Sequence, residues 1–437
     1  MSLNVGFVST RFSGIDGVSL EAAKWSEVIE ALGHKCHWFA GESDRSPGLS
    51  FVEPKAHFKT KLNDRINRCI HVDRENDFDV HAAIQDQKAD LESSLFSFLV
   101  TFKIDLLIVE NALSIPIQVP LGLAIKDVLA ASSIPTIAHH HDFYWERPRF
   151  HLNGFRALIE STFPPRLPNI QHVVINSIAH RKLFDRTGIV SQIIPNVMDF
   201  SNPPLIEQER VSRLRSAIGI KPDDIMIVQP TRMIPRKGIE RTLEIIRRLN
   251  DPRCKLIISH KVDDEGWDYY RQITTKCENL GIDIRFIYGI VADPILNNFD
   301  PKSQYSLWEV YKAADLIAYP SLNEGFGNAF LEAIFLRKPI VMNRYETFVA
   351  DIESKGFDVI KFDGSIDSNT MSQIRAVLAD KSRGRQMAET NYGLAKLYFS
   401  YDLLKEKLSR LIPSPHASGE EAFFKGKPLS QFGNPFM

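Results

Sequence analysis

Apolar runs of strand length alternate with stretches of helical spacing along most of the chain, and this alternation restricts the fold more than any other feature. Residues 3–9 read as a buried strand, a loop holding Gly14 and Gly17 follows, and residues 18–32 place apolar side chains at helical spacing. Gly33 stops that helix and residues 36–40 read as a second strand, so the chain opens as a β-α-β unit. Further strands are expected at 104–109, 134–138, 173–176 and 192–196, with a helix over 121–131. A second series has strands at 225–229, 255–259, 284–288, 316–319 and 339–342, with helical stretches between most of them. Strands that are apolar throughout belong in parallel sheets covered on both faces. The expectation is an α/β protein of two doubly wound, Rossmann-like domains facing across a cleft, with ligands at the carboxyl ends of the strands.

The paired prolines of the Ser-Asn-Pro-Pro stretch at 201–204 mark a linker. The expected division is a first domain over 1–200, a second over 201–385, closing helices over 386–412 that cross back to the first, and a weakly ordered tail over 413–437. Residues 43–93 are polar and lack clean periodicity, and read as a loop with helices of uncertain extent.

Lys plus Arg (53) nearly cancel Asp plus Glu (54), which removes the broad positive field that a nucleic-acid partner needs. Charge is uneven, however: residues 210–255 hold twelve Lys/Arg against five Asp/Glu. The four cysteines show no Cys-x-x-Cys pair, which points away from zinc or a disulfide framework and towards a reducing cytoplasm. No apolar run approaches the ~18 residues of a membrane span, which leaves peripheral membrane contact open. Oligomeric state leaves no mark on the sequence.

Four constellations carry chemistry. In Glu324-Gly325-Phe326-Gly327-Asn328 through Glu332, the glycines permit close backbone approach and the helix start offers amides to negative charge. Glu324 falls in the loop and Glu332 about two turns into the helix, so one can meet a sugar and the other ribose hydroxyls. Arg232 and Lys237, five residues apart before a helix, can both reach one diphosphate and so replace a metal. His139, His140 and His141 follow a first-domain strand; consecutive residues on an extended chain point to opposite faces and no carboxylate spacing accompanies them, so no metal is expected. The loop from Arg11 through Gly14 and Gly17 lacks the Gly-x-Gly-x-x-Gly of a dinucleotide dehydrogenase.

The Glu-Gly-Phe-Gly string ending in Glu332, with Arg232 and Lys237, resembles the donor signature of retaining glycosyltransferases of family 4, which have the GT-B fold. The resemblance implies a nucleotide-sugar donor of the GDP-mannose or UDP-glucose type as substrate, no required cofactor, retained anomeric configuration and no essential divalent metal. It assigns Arg232 and Lys237 to the diphosphate, Glu324 through Asn328 and Glu332 to the donor, and His141, ahead of His140, to the neighbourhood of the transferred sugar. Gly14, Gly17, Arg11, His140, Arg147 and Arg149 are then candidates for the acceptor, the arginines suiting a carboxylate or phosphate. The first loop together with His141-Asp-Phe-Tyr-Trp-Glu-Arg147 is similar to mannosylglucosyl-3-phosphoglycerate synthases. The rival readings are a transferase of surface-polysaccharide or lipid-linked glycan assembly, and a nucleotide-sugar epimerase or phosphorylase of the same fold.

Overall fold

The computed structural model describes residues 2–14, 16–72, 77–147, 149–150, 154–262, 267–292 and 299–412. The expected tail at 413–437 lies outside them. The chain divides into a first domain, Met1–Pro195 with the segment from Asp402 onward, and a second, Asn196–Tyr401.

The first domain carries β1 (Asn4–Val8), β2 (Lys35–Ala40), β3 (Ser50–Val52), β4 (Leu106–Glu110), β5 (Thr136–His140), β6 (Ile170–Val174) and β7 (Ser191–Ile193) in one parallel sheet, ordered β3-β2-β1-β4-β5-β6-β7. Its helices are α1 (Gly17–Ala31), α2 (Lys61–His71), α3 (Val80–Thr101), α4 (Val119–Ala131), α5 (Arg156–Glu160) and α6 (Ser177–Thr187). The second sheet, also parallel, is ordered β10-β9-β8-β11-β12-β13. Its strands are β8 (Ile225–Gln229), β9 (Cys254–Ile258), β10 (Ile284–Phe286), β11 (Leu316–Tyr319), β12 (Ile340–Asn343) and β13 (Ile360–Phe362). Around it lie α7 (Gln208–Ala217), α8 (Ile239–Leu249), α9 (Trp267–Leu280), α10 (Leu307–Ala313), α11 (Asn328–Phe335), α12 (Ser368–Ala379) and α13 (Lys381–Tyr398). Strand order reverses between β1 and β4 in one sheet and between β8 and β11 in the other, and such switch points are where doubly wound sheets bind ligands.

Three expectations need correction. Residues 43–93 are largely regular: they hold β3, α2 and most of α3, a helix of 22 residues capped by the Asp79 carboxylate on the Ala82 amide. The domain boundary falls at Asn196, ahead of the proline pair, because the following residues are already tied into the second domain. There the Met198 amide donates to the Phe399 carbonyl at 2.9 Å, and the Tyr392 hydroxyl to the Phe200 carbonyl at 2.6 Å. The chain also returns to the first domain later than residue 386. Helix α13 packs on α11 and α12, and only α14 (Tyr401–Leu411) goes back, where Gln171 donates to the Leu411 carbonyl at 3.1 Å and Lys407 to the Ile193 carbonyl at 3.0 Å.

Helix α3 closes the first core. Val80, Ile84, Gln87, Leu91, Leu95 and Phe98 form its buried stripe, and Phe98 meets Phe39 at 5.7 Å and Phe102 at 5.5 Å between ring centroids. Phe98→Ala should destabilise the first domain by about 3–5 kcal/mol, the usual cost of emptying a buried aromatic site. A denaturant titration checks this, and a loss below about 1 kcal/mol would contradict the central place given to this ring.

Candidate active site

In the second domain, β8 and β11 leave the sheet side by side, and the loops that follow them touch backbone to backbone. Gly238 has φ +63°, and a Cβ there would lie 2.6 Å from the Pro320 carbonyl oxygen, so a side chain is excluded by both conformation and space. The Leu322 amide donates to the Arg236 carbonyl at 2.8 Å. Buried Gln229, the last residue of β8, fastens the loop to α8: its amide nitrogen donates to the Lys237 carbonyl at 2.9 Å and its oxygen accepts from Thr242 Oγ1 at 2.7 Å.

This arrangement brings Lys237 onto Glu324. The ammonium donates to Glu324 Oε1, while Arg236 donates to Oε2 at 3.3 Å and to the Asn323 carbonyl at 3.1 Å. The Lys237 and Glu324 side chains are only 11% and 9% exposed. Burial pushes the Glu324 carboxyl up, but Lys237 and Arg236 outweigh it and hold the group below its ordinary value. Burial pushes the Lys237 ammonium down, which Glu324 opposes and the charges of Arg236 and Arg232 reinforce. Exposed Arg232 is therefore electrostatically part of the cluster. Arg236 was not singled out in the sequence, although it stands beside Lys237 in the one-turn segment Pro235–Lys237 that aims both side chains.

The glycine string is held by two tyrosines that sequence spacing does not reveal. Gly327 has φ +115°, and a Cβ there would sit 2.3 Å from the Tyr345 hydroxyl. That hydroxyl donates to the Phe326 carbonyl at 2.8 Å, and Thr347 Oγ1 donates to the Glu324 carbonyl at 2.9 Å. Burial first, then the nearby Glu324 carboxylate, pushes the Tyr319 and Tyr345 hydroxyls well above their ordinary range, so both remain donors. Exposed Gly325 and buried Phe326 lie outside the helix, because α11 starts only at Asn328. Glu332 is thus about one turn into the helix rather than two, and accepts from the Tyr311 hydroxyl at 2.6 Å. Asn328 accepts from Asn196 Nδ2 at 2.7 Å.

In the first domain the histidine run sits at the carboxyl end of β5, beside the end of β4. Glu110, wholly buried, pairs in register with His139. Its Oε2 lies 3.0 Å from His139 Nδ1 and 2.9 Å from His141 Nε2. Adjacent histidines do point to opposite faces, but His139 and His141, two apart, share one, and a carboxylate from the next strand joins them. Among the described residues, these are the groups whose ligand atoms lie close enough together, within 4.8 Å, to hold a metal ion. Both nitrogen–oxygen contacts have hydrogen-bond lengths, so the carboxylate holds each imidazole through one nitrogen, while His139 Nε2 is buried without a hydrogen-bond partner. Burial pushes Glu110 up, but the two histidines outweigh it and hold the carboxyl at about 2.

His140 faces the other way and is corrected from a substrate-facing to an internal role. It is buried, with Nδ1 on Ser114 Oγ and Nε2 sharing a 2.9 Å hydrogen bond with His172 Nδ1. The remaining first-domain candidates each have a local partner. Arg11 pairs with Asp16 at 2.9 Å, Arg147 donates to Asp142, and exposed Arg149 lies over the Phe150 ring at 4.9 Å. The Gly14 amide is taken by Asp44 Oδ2 at 2.9 Å, and Gly17 is the first residue of α1, whose N-cap is Asp16.

Residues 211–393 match the family described as glycosyl transferases group 1. The chain is 31% identical over 444 residues to mannosylglucosylglycerate synthase of Thermotoga maritima, covering 93% of this chain and 99% of that protein. The chain belongs to the group 1 glycosyltransferases. This glycosyltransferase is also 26% identical over 237 residues to mannosylglucosyl-3-phosphoglycerate synthase of Petrotoga mobilis, covering 51% of this chain and 43% of that protein. Sucrose-phosphate synthase of Thermosynechococcus elongatus shares the GT-B fold, with a TM-score of 0.65 at 12% identity over 94% of this chain and 98% of that one. No helix among the described residues is long and apolar enough to cross a membrane.

The buried histidine pair makes the first domain of this glycosyltransferase acid-sensitive. Burial pushes His172 down to about 4; burial and the neighbouring imidazoles, His172 foremost, push His140 well below its ordinary value. The unfolded chain binds protons that these rings refuse when folded, so stability is full above about pH 6.5 and falls as pH drops towards 4. His172 alone accounts for about 3 kcal/mol at full effect. His172→Gln should flatten the difference between melting temperatures at pH 7 and pH 4.5; an unchanged difference would contradict the assignment.

Proposed function

We propose that this glycosyltransferase moves mannose from GDP-mannose to glucosylglycerate, retaining the anomeric configuration and using no metal ion at the donor diphosphate. The observation that carries the reading is the cluster at the β8–β11 switch point. There Lys237 and Arg236 close on the carboxylate of Glu324 and the charge of Arg232 acts on the Lys237 ammonium, which gathers positive charge in a partly desolvated place. A nucleoside diphosphate suits such a concentration of cations. The relative that aligns over almost its whole length is named for mannosylglucosylglycerate, which supports the product. Arg11, Arg147 and Arg149 are the candidates for an acceptor carboxylate.

In this mechanism the bond from the anomeric carbon to the diphosphate oxygen breaks while the acceptor oxygen bonds on the same face. The acceptor's proton passes to the departing phosphate oxygen. Arg232 and Lys237 neutralise the charge that grows on the diphosphate. Glu324 orients the sugar hydroxyls, the backbone of Gly325 to Asn328 approaches the donor, and Glu332, held by Tyr311, takes the ribose. His141 meets a sugar hydroxyl. Four buried cysteines without disulfides suit a cytoplasmic enzyme, where nucleotide sugars are made.

Lys237→Met should lower kcat/KM for GDP-mannose by about 10²- to 10³-fold, as expected for losing one group that stabilises transition-state charge. A fall of less than tenfold in folded protein would remove the diphosphate assignment. With the wild type, EDTA should leave the rate within about twofold, and proton NMR should show an α-linked product made only when acceptor is present. Turnover of donor without acceptor would favour an epimerase or a phosphorylase.

A further inference from the structure

Glu110 lies outside the β8–β11 cluster, yet it is among the most constrained side chains of the first domain. It is wholly buried at the end of β4, the strand beside the switch point, and the Ser9 hydroxyl fixes its carbonyl at 2.9 Å. One of its oxygens receives both His139 Nδ1 and His141 Nε2. His139 is locked inside, stacked on Trp25 at 4.2 Å, whereas the His141 side chain is 10% exposed and is the member of the triad that reaches outward. The backbone beneath is shaped for this. Asn111, at φ +60°, accepts from the His141 amide at 3.0 Å and donates to Asp142 at 2.9 Å. A second wholly buried carboxylate, Glu21 of α1, bonded to Lys24 at 3.0 Å, acts on both imidazoles.

We propose that Glu110 is a positioning residue for the transfer reaction: by holding His141 through Nε2 and supplying its counter-charge, it makes the ring's other nitrogen, Nδ1, a hydrogen-bond donor to a hydroxyl of a sugar substrate. The chemistry is that of an imidazole with one nitrogen committed. When the ring is neutral, Nε2–H goes to the carboxylate and Nδ1 can only accept; when it is protonated, Nδ1–H donates. A carboxylate at 2.9 Å favours the protonated ring, and a neutral amide in its place would not. The other charges facing His141 agree in sign: burial opposes the proton, and Glu110, then Glu21 and Asp142, outweigh it and raise the imidazole above its ordinary value. His139 stays below its own, chiefly through burial, so the proton of the triad belongs to His141. The inference rests on the proposed reading that His141 meets a sugar. The hydroxyl is either the donor hexose's or the acceptor's, and the two sources differ in which KM moves.

The test compares wild type with Glu110→Gln, which keeps the shape and removes the charge, and with His141→Gln. Two readouts are taken: the His141 titration by NMR in the protein without substrate, and kcat and both KM values from pH 5.5 to 9. The imidazolium is present below its raised pKa and lost as pH rises through it. The wild-type rate should therefore fall on the alkaline side, and in Glu110→Gln both the NMR titration and this limb should move down by about 1 to 3 pH units. At pH 7.5 kcat/KM should drop at least tenfold, with the melting temperature little changed and much of the rate restored at pH 5.5. A shift confined to KM for glucosylglycerate would place the hydroxyl on the acceptor; one in kcat or in KM for GDP-mannose would place it on the donor. An unmoved His141 titration overturns the proposal whether or not the protein transfers mannose, as does a pH-independent loss of activity equal in the two variants. Saturable zinc or manganese binding by wild type, lost in Glu110→Gln, would also overturn it by making the triad a metal site. If NMR shows the shift but wild type transfers nothing from any donor, the glycosyltransferase substrate reading fails and the charged pair itself stands.

Discussion

The contact between Lys237 and Glu324 is the constraint around which the second domain's chemistry is arranged. Two nearly buried charges are costly to hold apart from water, and the pair persists because each supplies what the other lost in solvation. Pairing requires the loops after β8 and β11 to run against one another, which in turn requires a residue without a side chain at 238 and a left-handed turn at 327. Tyr345, Thr347 and Gln229 hold those loops through main-chain oxygens, so they fix the position of the charges without adding any.

The same topological position is used differently in the first domain. At the end of β4, beside its switch point, a buried carboxylate takes the place of the cations, and imidazoles from β5 answer it. Parallel strands in register make this arrangement reproducible: Glu110 lies opposite His139, and the pleat returns the chain to the same face two residues later at His141. His140, between them, is turned into the opposite layer, where Ser114 and His172 receive it. Three like residues in a row thus belong to two separate hydrogen-bonded groups on opposite faces of the strand.

Much of this was legible in the chain. Two doubly wound parallel sheets follow from apolar runs alternating with helices, and the glycines and paired glutamates marked the loop between β11 and α11 that the structure brings against Lys237. What escaped has physical reasons. Glu110 is invisible to local spacing because its partners are 29 and 31 residues away and meet it only through strand register. Helix α3 does carry a buried stripe from Val80 to Phe98, but Gln87 interrupts it and many polar residues dilute the period. Glu332 was misplaced by a turn because glycines before a helix give no sign of where the left-handed residue falls. The proline pair near 203 drew the boundary too late, since the preceding segment is held by contacts with residues 328, 392 and 399 that lie far along the chain.

The account's central claim is that the cluster of Arg232, Lys237 and Glu324 is where a nucleoside diphosphate sugar is neutralised. A crystal structure with GDP-mannose bound tests it most directly. The account predicts diphosphate oxygens within hydrogen-bond distance of Lys237 Nζ and the Arg232 guanidinium, and mannose hydroxyls on Glu324. A diphosphate seated away from the β8–β11 switch point, or one bridged to the protein by a divalent cation with Lys237 still closed on Glu324, would contradict it.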